Sequence, residues 1–474
     1  MEFSRKTLAP VASLFAVALT LFQIYSTGGF TVLPTPIQRA THLALVMVLV
    51  FLWKPAFKYR EGAEPLPMLL LDLCLAGLAL AIGAYVVVNN DALLDRLRYV
   101  DPVSDMDYFM GISAVILVLE ITRRTAGLPL VIVSLSFLLY AFFGQYLPAG
   151  LKHNGILHSD LLEQLFLTTD GIYGVPLAAA AGMIFAFVMF GAFLERANMS
   201  ALFMDLACLL TRRSQGGPAK VSIFASALFG TISGSAPANV YGTGTFTIPL
   251  MKRVGYSAPF AGAVEAVAST GGQMMPPIMG AAAFIMADLA GTSYLEIAKA
   301  ALLPSFLYYL ALLAMIHFEA VNKNIGRLPE DQIPPARSVL IRLYYLLPLA
   351  ALIAAMILGR SVVSCAFIGI AAVLVLSVFR AETRFTPARF KSALELSAKN
   401  ALMISSCCAC AGIVVAVIAL TGVGYKFISF VTMIAGDNLL LLLICLMITS
   451  MILGMGVPTS PAYIIVATLG APAL

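Results

Sequence analysis

Repeated apolar runs, each about 20 residues long, dominate this chain of 474 residues. An α-helix of that length spans the hydrocarbon core of a bilayer, whereas a barrel strand needs about 10 residues of alternating polarity. Hydrophobic residues make up 61% of the chain and charged residues 11%, against about 45–50% and 25% in soluble domains. The sequence therefore predicts an all-α, polytopic membrane protein in a lipid bilayer.

The distribution of charge predicts the topology. Arg5 and Lys6 precede the first predicted span, and Arg123 and Arg124 follow the fourth, while the loop between the third and fourth spans is acidic. The positive-inside rule then places the N-terminus in the cytoplasm. The net charge of +5 is not gathered into a basic patch with interleaved aromatic residues, so we expect no nucleic-acid partner.

The order of spans, linkers and breaks suggests five segments. They are a four-helix membrane module (1–126), a linking helix with an external amphipathic segment (127–174), a first repeat (175–320), a cytoplasmic linker (321–338) and an incomplete second repeat (339–474). Within the second repeat, residues 380–399 are predicted to form a cytoplasmic amphipathic helix, separate from a span at 401–420.

Two apolar runs of the first repeat contain residues that a continuous membrane helix does not need. Glycine, serine, proline and asparagine interrupt residues 221–250, and a Gly-Gly pair followed by a Pro-Pro pair interrupts 258–290. An unpaired peptide group in hydrocarbon costs several kcal/mol, so broken backbone is tolerated only where protein, water or a solute satisfies it. We therefore predict a re-entrant hairpin at 221–250, a broken helix at 258–290 and a binding site between them. The alternative is close helix packing through small residues.

The last apolar run, 439–474, repeats the pattern of the first hairpin. At a constant offset, Ser226 matches Ser450, Gly230 matches Gly454 and Pro237 matches Pro461. The first copy is predicted to enter from the cytoplasm and the second from outside, so the repeat is inverted, which is typical of alternating-access transporters. The counterpart of residues 271–277 would fall beyond residue 474. We therefore expect either a fragment of a longer protein or a missing second half-site.

Four motifs point to a family. They are SGSAPANV at 233–240, TFTIPLMKRVGY at 245–256, EAVASTGGQMMPPIMGAAAFIMA at 265–287 and LGMGVPTSPAYIIVATLGAPAL at 453–474. From about residue 175 onward the chain resembles a tripartite ATP-independent periplasmic (TRAP) transporter permease. It is most similar to fused permeases served by TAXI-type solute-binding proteins. Over residues 1–126 only the number and place of the helices match.

The resemblance implies an elevator-type secondary transporter. A periplasmic solute-binding protein of the TAXI type would deliver a small organic anion across the inner membrane, and inward sodium movement would drive uptake, with protons as the alternative. Pro237 departs from the family pattern, in which a small aliphatic residue is more usual.

The chemistry of sodium binding selects candidate residues at the breaks, because sodium prefers several hard oxygens, which unwound backbone supplies. The candidate ion- and substrate-binding residues are Ser233, Gly234, Ser235, Asn239, Gly271, Gly272, Gln273, Pro276, Gly456 and Thr459. The sodium ligands proposed among them are Ser233, Ser235, Asn239, Gly271 and Gly272.

Two further acids lie within predicted spans. Glu265 either takes up a proton or helps to hold a cation, since an intramembrane acid is a functional hypothesis by default; alternatively, it pairs with Lys252 or Arg253. Asp72 is interpreted as a structural hydrogen-bonding group between helices. Cys407, Cys408 and Cys410, although spaced as CxxC, are interpreted as packing residues.

Two other classes of protein compete with a transporter. A channel would also use broken helices but needs a continuous pore. An intramembrane enzyme would need paired acids, a Ser/His pair or metal ligands in the spans, and the sequence offers no such pair. We therefore expect no enzymatic activity and no cofactor other than the coupling ion.

Overall fold

The computed structural model describes residues 2–3, 5–57, 64–148, 150–329, 332–379, 383–436 and 438–470. The regular structure of these residues is helical, apart from a two-residue antiparallel pairing of Glu2–Phe3 (β1) with Glu64–Pro65 (β2). The predicted all-α class is confirmed. The last four residues of the predicted second hairpin, 471–474, lie outside the described part.

The described helices follow one another in this order: α1 Ala9–Thr27, α2 Thr35–Trp53, α3 Leu66–Val88, α4 Asn90–Asp95, α5 Asp105–Ala126, α6 Leu128–Phe143, α7 His158–Leu162, α8 Val175–Ala179, α9 Phe185–Arg196, α10 Met199–Thr211, α11 Gly217–Ser233, α12 Ala236–Arg253, α13 Ala258–Gly271, α14 Ala281–Ala290, α15 Tyr294–Asn322, α16 Ala336–Ile341, α17 Leu347–Ile357, α18 Val362–Ser377, α19 Pro387–Thr421, α20 Val423–Ala435, α21 Leu439–Gly454 and α22 Thr459–Gly470. A π-helical turn, Ala180–Ile184, continues α8 into α9. Among the described residues, 8 helical segments are long and apolar enough to cross a membrane. The protein is therefore a multi-pass membrane protein, as predicted.

The chain divides into two compact units. Unit 1 comprises Met1–Gly182 and Ala398–Leu474, and unit 2 comprises Met183–Ser397. Unit 1 thus contains α1 to α8, the second half of α19 and the last three helices. Unit 2 contains both broken runs of the first repeat.

The core of the first module in unit 1 is α2, which packs against α1, α3 and α5. Its residues from Val46 to Leu52 are all buried, as expected for a helix that is apolar on every face. A glycine brings α3 close to it, because a Cβ added at Gly83 would lie 2.6 Å from the Cβ of Ala44.

Asp72 of α3 is structural, as predicted. Its side chain is only 2% exposed and forms ion pairs with Arg5 and with Arg124 of α5, the latter at 2.7 Å between Oδ1 and Nη2. Glu120 shares Arg124 at 2.7 Å. A charge removed from water must be paired to be tolerated, so this network joins the N-terminal segment, α3 and α5.

One prediction about the second repeat is wrong. Residues 380–399 and 401–420 do not form separate helices; from Pro387 to Thr421 they form the single 35-residue helix α19, and residues 380–382 lie outside the described part. The cause is local, since no Gly or Pro occurs between Pro387 and Gly412 and nothing else there ends a helix. Cys407, Cys408 and Cys410 are buried in α19, which agrees with their interpretation as packing residues.

Candidate functional site

In unit 2, the first broken run forms two antiparallel helices, α11 and α12, joined by Gly234 and Ser235. Gly234 has φ +57°, a left-handed conformation, and its N–H donates to the carbonyl of Gly230 at 3.2 Å. This is how glycine commonly ends a helix. Ser235 is extended and its Oγ accepts from the N–H of Ala238 at 3.4 Å, so it caps α12. The turn chemistry therefore fixes the break between Ser233 and Ala236.

Asn239 holds the two helices of this hairpin together. It is 1% exposed, and its Nδ2 donates to the carbonyl of Ser226 on α11 at 2.8 Å. Its Oδ1 lies 3.4 Å from the hydroxyl of Thr243. The Asn239 side chain, predicted as a sodium ligand, is thus engaged with protein at both polar atoms.

The second broken run is helical to Gly271, turns through a 3₁₀ segment, Gly272–Met274, and is not helical again until Ala281. The gap closes on itself, since the N–H of Gly280 donates to the carbonyl of Gln273 at 2.7 Å. The adjacent helix α15 supports it. The hydroxyl of Tyr294 donates to the carbonyl of Pro277 at 2.9 Å and accepts from the N–H of Met279 at 3.1 Å. Pro276, joined to Pro277 by a cis peptide bond, lies within this non-helical stretch.

The two breaks lie directly against each other. A Cβ added at Gly230 would lie 2.3 Å from the Cα of Gly272, and one added at Gly234 would lie 2.5 Å from the carbonyl oxygen of Met279. Gly271 is equally confined, here by the ring of Tyr308 at 2.4 Å. Glycine is required at Gly230 and Gly234 because any larger residue would separate the hairpin from the broken helix.

Four helix ends converge at this junction. The C-terminal ends of α11 and α13 and the N-terminal ends of α12 and α14 all lie within the two breaks. Helix C-termini leave carbonyls without intrahelical partners and carry partial negative charge, whereas N-termini carry partial positive charge. The junction therefore offers carbonyl oxygens to a cation and N–H groups to an anion.

One side chain at the junction has a buried polar atom without a partner. The Oγ of Ser233 is inaccessible to solvent and makes no hydrogen bond. Such an atom is uncommon in a folded protein and calls for an explanation, for which a bound ion is one candidate. It lies on the last residue of α11, beside Gly234. Among the described residues, Ser233 is therefore a predicted ligand whose side chain is available for an ion.

The remaining candidates, Gly456 and Thr459, belong to unit 1. There α21 and α22 are separated by residues 455–458, and Gly456 has φ +75°. Gly456 is exposed, and Thr459 is the first residue of α22. The break predicted in the last apolar run is thus present in the described residues.

Glu265, on α13, lies among hydroxyl groups that the sequence analysis missed. Its carboxylate is 0% exposed and accepts from Ser222 at 2.6 Å, from Ser226 and Ser269 at 3.3 Å each, and from Thr243 and Thr247. Among the described residues it forms no ion pair with Lys252 or Arg253, both of which are exposed. The missed signal was spacing. Three pairs of residues four apart, 222/226, 243/247 and 265/269, put all six side chains on facing stripes of three helices.

This architecture defines a class of protein, a multi-pass helical membrane protein with two interrupted helices packed break to break. Residues 113–474 match the family described as Tripartite ATP-independent periplasmic transporter, DctM component. The chain belongs to this family. Because the family is a transporter component, the chain is not expected to be an enzyme, as predicted from the sequence.

Individual relatives match shorter stretches of the chain than the family does. The chain is 33% identical over 147 residues to an uncharacterized protein of Salmonella typhimurium, covering 31% of this chain and 33% of that protein. It is 29% identical over 143 residues to a C4-dicarboxylate TRAP transporter large permease protein of Pseudomonas aeruginosa, covering 30% and 33%. It is 29% identical over 144 residues to a sialic acid TRAP transporter permease protein of Haemophilus influenzae, covering 30% and 23%. The matched stretches thus span a third or less of these relatives.

Proposed function

We propose that this chain is the permease of a binding-protein-dependent secondary transporter in a bacterial inner membrane. It would import an organic anion of the carboxylate type on an inward sodium gradient, with a proton-driven version as the alternative. A TAXI-type periplasmic protein would deliver the solute, and the N-terminus would lie in the cytoplasm. Family membership supports a permease, and the names of two relatives, a C4-dicarboxylate and a sialic acid permease, support an anionic solute.

The observation that carries the proposal is the meeting of two helix breaks in unit 2. At this junction the C-terminal ends of α11 and α13 would bind sodium through backbone carbonyls and the free hydroxyl of Ser233. The N-terminal ends of α12 and α14 would attract the carboxylate of the solute. The same few residues would then bind both ligands, which is the simplest way for one to depend on the other.

In this proposal the segments have separate tasks. Residues 1–126 would form part of a scaffold, and the hairpin at 221–250 and the broken helix at 258–290 would belong to a mobile domain that carries the site across the membrane. The hydrogen bonds from Tyr294 to the backbone of the broken helix would keep the site intact during that movement, because the unwound segment has few hydrogen bonds of its own.

Uptake in proteoliposomes tests the function. The permease, reconstituted with its binding protein, is given a labelled C4-dicarboxylate and then sialic acid. Uptake should require both the binding protein and an inward sodium gradient. If net positive charge enters, a negative interior should increase accumulation, since each charge gains about 2.3 kcal/mol per 100 mV. Uptake that ignores sodium but follows a pH gradient would reject sodium coupling in favour of the alternative.

Ser233→Ala tests the site. Loss of one oxygen ligand should weaken the apparent affinity for sodium about tenfold, which corresponds to about 1.4 kcal/mol, with little change in expression. Ser136→Ala is the matched control, because Ser136 is exposed on α6 and, among the described residues, bonds to the carbonyl of Ile132 in its own helix. Equal sodium dependence in the two variants would remove Ser233 from the site.

A further inference from the structure

A hydroxyl cage surrounds Glu265; it consists of Ser222, Ser226, Thr243, Thr247 and Ser269. This cage contains more hydrogen-bond acceptors than protons that can be donated to them. The hydroxyl of Thr243 lies within hydrogen-bond distance of the Glu265 carboxylate and also 2.8 Å from the carbonyl of Asn239. That of Thr247 reaches the same carboxylate and the carbonyl of Thr243 at 3.1 Å. Each hydroxyl has one proton, so it serves either the carboxylate or its own helix.

Among the described residues, the carboxylate of Glu265 also has no counter-charge. The charged and titratable groups described on the helices packed against Glu265 have other positions or partners. Tyr241, Lys252 and Arg253 of α12 and Glu296 and Lys299 of α15 are exposed. Lys220 of α11 bonds to Ser214 and His317, Glu319 of α15 pairs with Lys323, and Tyr308 and Tyr309 of α15 donate to carbonyls of α13. A buried carboxylate without a paired cation is costly. A proton on Glu265 would remove both the unpaired charge and the shortage of donors.

We propose that Glu265 binds and releases a proton during the transport cycle, so that uptake is coupled to a pH gradient in addition to any sodium gradient. This inference rests on the proposed transport function. In the ionised form, the five hydroxyls donate to the carboxylate. In the protonated form, the acid donates one hydrogen bond to a hydroxyl, and Thr243 and Thr247 turn their protons back to the carbonyls of Asn239 and Thr243. No other bond is made or broken.

The position of the cage connects this exchange to the junction of the two breaks. Thr243 is bonded to the backbone of Asn239, and the side chain of Asn239 holds the carbonyl of Ser226, which lies 3.2 Å from the position of a Cβ added at Gly272. Protonation would thus change the hydrogen bonds that join α12 to α13 next to the site. The hydrogen bond of 2.6 Å from Ser222 to Oε2 has the length expected for donation to an ionised carboxylate, so the structure corresponds to the ionised form of the cage.

Accumulation at a fixed sodium gradient is the first test, with wild type, Glu265→Gln and Glu195→Gln in proteoliposomes. Glu195 is a matched control because it is an exposed acid of unit 2. If one proton is coupled, one pH unit, acid outside, should raise the steady accumulation ratio of the wild type and of Glu195→Gln about tenfold. Glu265→Gln should accumulate solute to the same ratio with and without the pH gradient. A tenfold response in Glu265→Gln would overturn the proposal.

A second measurement examines the proton without transport. An infrared difference spectrum of the purified protein across a pH step should contain a carboxylic acid C=O band that Glu265→Gln lacks. Thr247→Val removes one donor to the ionised form and should change the pH at which the band appears, whereas Ser136→Ala should leave that pH unchanged. If the band appears at the wild-type pH in Thr247→Val, or persists in Glu265→Gln, the assignment is refuted. If sodium suppresses the band of the wild type, the ion bound at Glu265 is sodium and the proton assignment is wrong.

The two measurements separate the possible failures. A wild-type protein that accumulates no solute under either gradient rejects the proposed transport function, while the infrared band still decides whether Glu265 binds a proton. A wild-type protein that transports on sodium alone and lacks the band rejects only the role of Glu265. Should Glu265→Gln elute as an aggregate in size-exclusion chromatography, Thr247→Val and Ser222→Ala still test the cage.

Discussion

Substitution of Gly230 by alanine should separate the hairpin from the broken helix. The added methyl would lie 2.3 Å from the Cα of Gly272 and 2.9 Å from its carbonyl carbon and oxygen, all backbone atoms, whereas ordinary contacts begin at 3.4 Å. The two segments would have to move apart by about 1 Å, and overpacking of this kind costs about 1–3 kcal/mol. Alanine gains about 1 kcal/mol over glycine in a helix interior, so the comparison needs a control with the same gain.

Gly262→Ala is that control. Gly262 lies inside α13, and a Cβ added there would meet no protein atom within 4 Å. Thermal unfolding of the purified protein, followed by the fluorescence of a thiol-reactive dye, should give a Tm for Gly230→Ala about 2–12 °C below that of Gly262→Ala, since a unit of this size loses about 2–4 °C per kcal/mol. Gly230→Ala should also weaken the sodium dependence of uptake, because the helix ends no longer meet. If Gly230→Ala melts at or above the control, the close backbone contact is not a constraint on the fold.

Three further substitutions test the contacts that support the two units. Asn239→Ala removes the hydrogen bond to the carbonyl of Ser226 and should cost about 1–2 kcal/mol in thermal unfolding; no change would mean that the hairpin does not depend on it. Ser104→Ala removes the capping box at the start of α5 and should cost about 1 kcal/mol, which a urea titration of the purified protein can measure. Arg124→Leu leaves the buried Asp72 with half of its partners and should cost about 3–5 kcal/mol, seen as a collapse in the yield of monodisperse protein; normal yield would contradict the need for that ion pair.

Most of the helices were predictable because the signals that define them are local. The apolar run of residues 66–88 forms α3, and the break after Ser233 follows from a glycine and a capping serine that adjoin in the sequence. The continuity of α19 was not predicted, because two local signals in that stretch conflict. The first half of α19 is polar and resembles a surface helix. A single helix would have been predicted only if the absence of a helix breaker had been given more weight than this polarity.

The candidate site was only partly predictable. The sequence identified Ser233, Gly272 and Glu265 as candidates from their types and their apolar surroundings, without any knowledge of their neighbours. It also assigned a ligand role to the side chain of Asn239, which in the structure bonds to the backbone of Ser226. Whether a polar side chain is free for a ligand depends on what faces it, and a residue's own neighbours in sequence do not determine that.

The class of the protein and the places where its helices break were determined by the sequence alone, because hydropathy and turn chemistry act over a few adjacent residues. Only the tertiary structure decided that Gly230 meets Gly272 and that five hydroxyls from three helices surround Glu265. The physical reason is that these contacts join segments up to 43 residues apart. Their formation depends on the rotation and separation of packed helices, which no local pattern specifies.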